Sequence, residues 1–409
     1  MRLYNSFSGQ TETWSIPSDR PVTMYVCGVT PYDTTHIGHA RTYLVFDTML
    51  RYLRWLGAEV QYCQNVTDVD DPLFERARRD GLNWRDLAEQ QVERYTLDTA
   101  ALNILPPTYF PRASEEITGM ITLIEQLVEA GYAYVNEGHV YFRITFDPDF
   151  GAIARMGYDD MLRTANQRGN NPDDPRKQDP LDFVLWQRGD PDDPTWESPW
   201  GPGRPGWHIE CSTMAMRYLG PQIDIHGGGN DLIFPHHACE IAQIEPVTRQ
   251  RPFARFWVHT GMVGLDGIKM SKSLGNLVFI RDALQNHSAD ALRWYLLSFP
   301  YRSEFSYQQE GVEQIEAMLV QIREALDPTF GKPASGSTAY TIDRAADAFL
   351  DALDNDLNTS MALRIFQSMS NDIHHAASEG ADVQSARQTM RQFAGILGLR
   401  LAPPSPSST

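Results

Sequence analysis

The run from Val22 to Leu56 constrains the fold more than any other. Val22-Thr23-Met24-Tyr25-Val26-Cys27 is apolar and rich in β-formers, is preceded by Pro21, and reads as a buried strand. Gly28 to Tyr32 turns the chain. From about His39 to Leu56 apolar residues then recur at helical spacing, among them Tyr43, Leu44, Phe46, Met49, Leu50, Leu53 and Trp55. Strand, glycine-containing loop and helix make half of a parallel α/β unit. Such a unit carries ligands at the C-terminal edge of its sheet and aims a helix N-terminus at bound phosphate. His36 and His39 fall at that edge, separated by Gly38, which allows a ligand close approach. Cys27 to Asp33 is not the Gly-x-Gly-x-x-Gly turn that a dinucleotide-binding oxidoreductase requires.

The remaining pattern extends this α/β reading. Glu59 to Thr67 is a second strand, ended by the carboxylates of Asp68, Asp70 and Asp71, which suit either magnesium or ribose binding or a capped turn before a helix from Pro72 to Arg79. Helical spacing returns over Leu87 to Leu105 and Ser114 to Ala130, and a hairpin is expected around Asn136-Glu137-Gly138. Loops of low hydrophobicity follow at Arg168 to Pro180 and Gly189 to Gly206. Trp207 to Leu219 should be a helix, Gln222 to His226 a strand, and a helix beginning after Pro235 sets His236 and Glu240 at i and i+4 on one face. Arg255 to Thr260 is the last expected strand. Helices are expected at Ser288 to Ser298, Gln309 to Leu326 and about Asp343 to Leu399.

A second polar feature lies at Gly261 to Asn276, expected as a short polar loop. Lys269 and Lys272 supply point charges there, while Ser271, Ser273 and backbone N–H groups near Gly275 can donate to an anion. His36-Ile37-Gly38-His39 and Lys269-Met270-Ser271-Lys272-Ser273 resemble the two signature motifs of class I aminoacyl-tRNA synthetases. Their flanks, Tyr25 to Tyr32, Gly206 to Ser212 and Gly227 to His237, are similar to those of cysteinyl-tRNA synthetases.

The resemblance implies a split Rossmann-like catalytic domain with an inserted connective segment and a C-terminal α-helical domain. The corresponding divisions are 1–114 and 206–276 for the two catalytic halves, 115–205 for the insertion, 277–327 for a helical stem, 328–341 for a linker, 342–400 for the helical domain and 401–409 for a tail. It implies ATP binding by His36, Gly38, His39, Lys269, Ser271 and Lys272, with His36, His39, Lys269 and Lys272 catalytic and Mg2+ accompanying ATP. Thr30, Trp207 and Asp231 would hold L-cysteine, Asp231 attracting its ammonium. Cys27, Cys211, His236 and Glu240 would hold one Zn2+. Spacing alone leaves those four open, since no Cys-x-x-Cys pair occurs and each reads equally as core or cap. Cys239, one residue before Glu240, is an alternative fourth ligand.

Two acceptors fit the resemblance. One is tRNA(Cys); the other is the amine of glucosaminyl-inositol, the acceptor of a related mycothiol-pathway cysteine ligase, which Asp70 to Ala77 and Arg168 to Asp182 resemble. The edges of the active site favour tRNA, although the chain ends without the basic, Trp-containing tail that synthetases usually carry. A non-catalytic relative would be expected to have lost the lysine stretch or the metal set, and both are intact. The 409 residues, 42% of them hydrophobic, suffice for roughly two to three domains. The net charge of −18 speaks against a strongly basic nucleic-acid binder, leaving room for a local basic patch. No long uncharged apolar run suggests a membrane span, and four cysteines are too few for a disulfide scaffold of this size. A cytoplasmic monomer is expected.

Overall fold

The computed structural model describes residues 1–32, 35–189, 193–270 and 275–401. The chain opens with a hairpin, β1 (Arg2–Asn5) and β2 (Gln10–Thr13), that the sequence reading did not anticipate. Next come β3 (Val22–Val29), α1 (Ile37–Trp55) and β4 (Val60–Val66), the strand–loop–helix unit and its partner strand. The structure carries β3 two residues beyond Cys27 and starts α1 two residues before His39. The reason is local: His36 is the N-cap, its ring accepting from the Gly38 N–H at 3.1 Å.

After α2 (Asp71–Asp80), α3 (Trp84–Ala101) and α4 (Ile117–Glu129), the expected hairpin appears as β5 (Ala133–Asn136) and β6 (His139–Phe142). It belongs to a larger unit. Following α5 (Tyr158–Asn166), β7 (Phe183–Arg188) and β8 (Gly203–Pro205) complete an antiparallel sheet of order β5-β6-β7-β8. α6 (Trp207–Leu219), β9 (Ile223–Gly229), α7 (Ala238–Thr248) and β10 (Ala254–Thr260) return the chain to the parallel sheet, whose order is β10-β9-β3-β4.

Alternation along these strands divides the core. Met24, Val26, Ile225, Phe256 and Val258 face α1 and the C-terminal helices, whereas Tyr25, Cys27 and Trp257 face α6, α7 and the inserted sheet. Both faces are therefore covered, as a parallel sheet demands.

The stretch expected as one polar loop begins as extended chain. β11 (Val263–Leu265) and β12 (Ile268–Lys269) form a hairpin around Asp266-Gly267, and β11 also pairs in parallel with β13 (Phe305–Tyr307). Ser271, Lys272 and Ser273 lie outside the described residues. Beyond them come α8 (Ile280–Asn286), α9 (Ala289–Leu297) and α10 (Gln309–Leu326). The single C-terminal helical run resolves into α11 (Asp343–Asp354), α12 (Thr359–Ser378) and α13 (Gln384–Leu397). No helix among the described residues is long and apolar enough to cross a membrane.

Candidate active site

Two clusters stand at the C-terminal edge of the parallel sheet. The first is built on the turn from β3 into α1. Gly28 is required there, because a Cβ at this position would lie 1.6 Å from the Asn65 carbonyl oxygen, and its N–H donates to Asn65 Oδ1 at 2.8 Å. At α1 the His36 and His39 rings stack with centroids 3.9 Å apart. Gly38 makes room for this, since a Cβ would come within 3.0 Å of the His36 ring. The turn is sewn to the chain beyond the lysine stretch: Ile37 N donates to Val278 O and Ile280 N to Thr35 O, both at 2.9 Å. The backbone thus ties the start of α1 to the chain that follows the lysine stretch, where His36 also bridges Phe279; Lys269 ends β12. Thr30 follows the end of β3. Asp68, by contrast, is occupied structurally, accepting from Ser114 N at 2.8 Å and Ser114 Oγ at 2.6 Å.

The second cluster is buried on the α6 and α7 face. Cys27 ends up opposite Cys211 in the first turns of α6, and His236 and Glu240 arrive from the turn entering α7. One ligand atom from each of these four residues lies within 4.8 Å of the others. Cys27 Sγ is 4.0 Å from Cys211 Sγ and 3.9 Å from Glu240 Oε1, and His236 Nε2 is 3.3 Å from the same oxygen. Cys239 is also buried but belongs to no such group among the described residues. It lines a cavity of about 400 Å³ beside Trp207 and His208, so its candidacy as fourth ligand is not supported.

Burial acts on several of these groups. It pushes the Cys27 thiol and the Glu240 carboxyl well up and holds His236 and His237 well below the usual imidazole range. A divalent cation reverses that preference by stabilising thiolate, carboxylate and neutral imidazole together. His236 Nε2 is buried without a hydrogen-bond partner, as a nitrogen reserved for a metal would be. Two thiols, an imidazole and a carboxylate match the donor preferences of zinc.

The sequence reading missed the histidines around this set. His226 Nε2 lies 2.9 Å from Glu240 Oε2, His237 Nε2 lies 3.2 Å from Cys27 Sγ, and His237 Nδ1 lies 2.8 Å from His259 Nε2. Cys27, His226, His237 and Glu240 form a second group of the same compactness. Partners of this kind orient metal ligands and fix their tautomers. His208 Nδ1 meets His236 Nδ1 at 2.9 Å, which leaves His236 Nε2 to the metal set. Strand alternation was the available signal: His226 and His259 share the face of β9 and β10 that carries Trp257.

Trp207 is 41% exposed and stacks on His236 with centroids 4.2 Å apart, so it is a wall of the pocket and not a core residue. Asp231 sits in the 3-10 turn Asn230–Leu232, and Arg168 of the inserted unit donates to the carbonyl of Asp231 within that turn and to that of Phe234 just beyond it.

Residues 14–317 match the family model for the tRNA synthetases class I (C) catalytic domain, and residues 348–402 match a DALR domain. The cysteine--tRNA ligase of Dehalococcoides mccartyi strain 195 is 41% identical over 409 residues, covering 100% of this chain and 88% of the relative. That of Symbiobacterium thermophilum is 41% identical over 415 residues, covering 98% and 87%. In fold the chain is similar to Mycobacterium tuberculosis methionyl-tRNA synthetase in complex with methionyl-adenylate, at a TM-score of 0.66 and 16% identity over 93% of this chain and 89% of the other. It is likewise similar to Agrobacterium radiobacter LeuRS in a complex with tRNA and LeuAMS, at 0.67 and 13% over 94% and 85%. By its catalytic-domain match and by full-length identity, the chain belongs to the cysteine--tRNA ligase family of class I aminoacyl-tRNA synthetases.

Proposed function

We propose that the protein activates L-cysteine with ATP and transfers the cysteinyl group to tRNA(Cys). The observation that carries this reading is the buried set Cys27, Cys211, His236 and Glu240, with an unpartnered imidazole nitrogen, at the sheet edge that also bears His36 and His39. Cys27, Cys211, His236 and Glu240 would hold zinc there, which would supply a soft Lewis acid preferring a cysteine thiolate to the hydroxyl of serine, a distinction apolar packing gives poorly.

The chain's own groups do the rest. Trp207 walls the pocket, Asp231 attracts the substrate ammonium, and Thr30 borders the amino acid at the end of β3. The cysteine carboxylate attacks the α-phosphorus of ATP, and the bond to pyrophosphate breaks. No protein nucleophile is needed; positioning and charge stabilisation are. His36, His39, Lys269 and Lys272 stabilise the charge that grows on the phosphates, Gly38 and Ser271 line the nucleotide, Mg2+ accompanies it, and the first turn of α1, free of acidic residues, faces it. The 3′-terminal ribose of tRNA then takes the cysteinyl group and releases AMP. The protein acts as a cytoplasmic monomer.

Pyrophosphate exchange with zinc, ATP and either cysteine or serine tests the first step. Labelled cysteine offered separately to tRNA(Cys) and to glucosaminyl-inositol tests the second. Labelled tRNA is expected. Labelled pseudodisaccharide would overturn the acceptor, and absence of exchange would overturn the whole reading.

A further inference from the structure

Thr35 adopts a left-handed backbone, φ 74°, while fully buried immediately before the His36 N-cap. A β-branched residue in that region is a conformational outlier that persists only where its surroundings over-determine it. Two contacts do so. The Thr35 carbonyl accepts from Ile280 N at 2.9 Å, and the Thr35 hydroxyl donates to Asp98 Oδ2, a buried carboxylate in the last turn of α3, outside the machinery described above. Glycine would take this conformation without strain and keep the carbonyl bond, but would lack the hydroxyl that α3 holds. Threonine costs strain and provides the hydroxyl that α3 grips. If Thr35 relaxed to extended backbone, its carbonyl would turn away from Ile280 N, and His36 and His39 would be re-aimed relative to the strands that lead to Lys269.

We infer that Asp98 is a positioning residue for ATP: through Thr35 it holds the left-handed turn that aims His36 and His39 at the nucleotide. The inference rests on the ATP-dependent reading above. Its test is a double-mutant cycle of Asp98→Ala with Thr35→Gly, with Asp98→Asn as the conservative variant, because an amide can still accept from the Thr35 hydroxyl.

Asp98→Ala is expected to lower kcat/KM for ATP in exchange by about 10- to 100-fold, the scale set by small misplacements of catalytic groups. KM for cysteine and zinc content should hold, and Asp98→Asn should recover most of the loss. With Thr35→Gly already present, the further loss from Asp98→Ala should shrink several-fold. Calorimetry of ATP binding to the same proteins reads the turn with no amino acid present, so a wild-type protein that failed exchange would break the functional reading alone. Equal losses in the threonine and glycine backgrounds, no loss at all, or a parallel fall in cysteine affinity, zinc content and melting temperature would overturn the inference.

Discussion

The two faces of the parallel sheet each bury charged groups, and they treat them differently. On the α1 face, Asp47 accepts from Leu105 N and Arg51 Nε, both at 2.9 Å, and from buried Arg293. Arg293 also donates to Leu397 O at 2.5 Å and Leu102 O at 3.1 Å. Each carboxylate oxygen is used, and the network locks α1 to α9 and α13. On the α7 face, His236 Nε2 is buried without a hydrogen-bond partner. A satisfied buried charge marks a joint between elements. A buried imidazole nitrogen left over beside two thiols and a carboxylate, as at His236, instead fits a partner not made of protein.

The contrast breaks most forcefully at Asp47. Asp47→Leu leaves the Arg293 guanidinium buried without its carboxylate, and about 3–5 kcal/mol of stability should be lost in denaturant unfolding. Pairing it with Arg293→Met should restore most of that loss, and the zinc content of the folded fraction should not change in either protein. Cys211→Ser is the mirror image. It should abolish stoichiometric zinc by metal analysis and cut cysteine-dependent exchange by more than about 100-fold, exceeding what loss of a mere outer partner does, while unfolding in the presence of chelator stays close to wild type. If Cys211→Ser unfolded the metal-free protein as severely as Asp47→Leu, the α7 face would be a structural joint too.

How much of this was legible in the sequence follows from where information is local. The β3–α1 unit could be read from periodicity because burial on both sheet faces and a 3.6-residue repeat leave direct traces. α6 and α10 emerged with the boundaries expected, Trp207–Leu219 and Gln309–Leu326. β1, β7 and β13 were missed because they are short and gain their order from partners far along the chain, β13 pairing with β11 some forty residues earlier. Within the site, His236 and Glu240 were readable as an i, i+4 pair on one helix face. Their convergence with Cys27 and Cys211 depends on the sheet order, and the residues suggested it only through resemblance. His226 and His259 escaped notice since a lone histidine in a strand reads as core until its neighbour across the sheet is known, and His237 since it ends the turn before α7.

A smaller effect sharpens the comparison from inside the pocket. Trp207 stacks on His236 of the proposed zinc set, and ring pairs contribute about 0.5–1.5 kcal/mol beyond area. Trp207→Ala should therefore raise KM for cysteine by up to about tenfold in exchange, with zinc retained and KM for ATP unchanged. Loss of zinc in this variant would mean that the indole holds His236 in place and does not merely wall the pocket.

The smallest expected change belongs to Arg168, which reaches the α7 face from the inserted unit. Arg168 is exposed, yet it donates to the carbonyls of Asp231 and Phe234, which lie within and just beyond the turn bearing Asp231, the carboxylate proposed to attract the substrate ammonium. Each such bond contributes about 1 kcal/mol net, so Arg168→Ala should raise KM for cysteine by about fivefold and leave the melting temperature within a degree or two of wild type. Arg168→Lys, able to reach one carbonyl, should fall between. Because the bonds go to backbone, the defect should be the same for cysteine and for a cysteine analogue lacking the thiol. A defect confined to thiol-bearing substrates would place Arg168's influence on the metal set and not on the Asp231 turn.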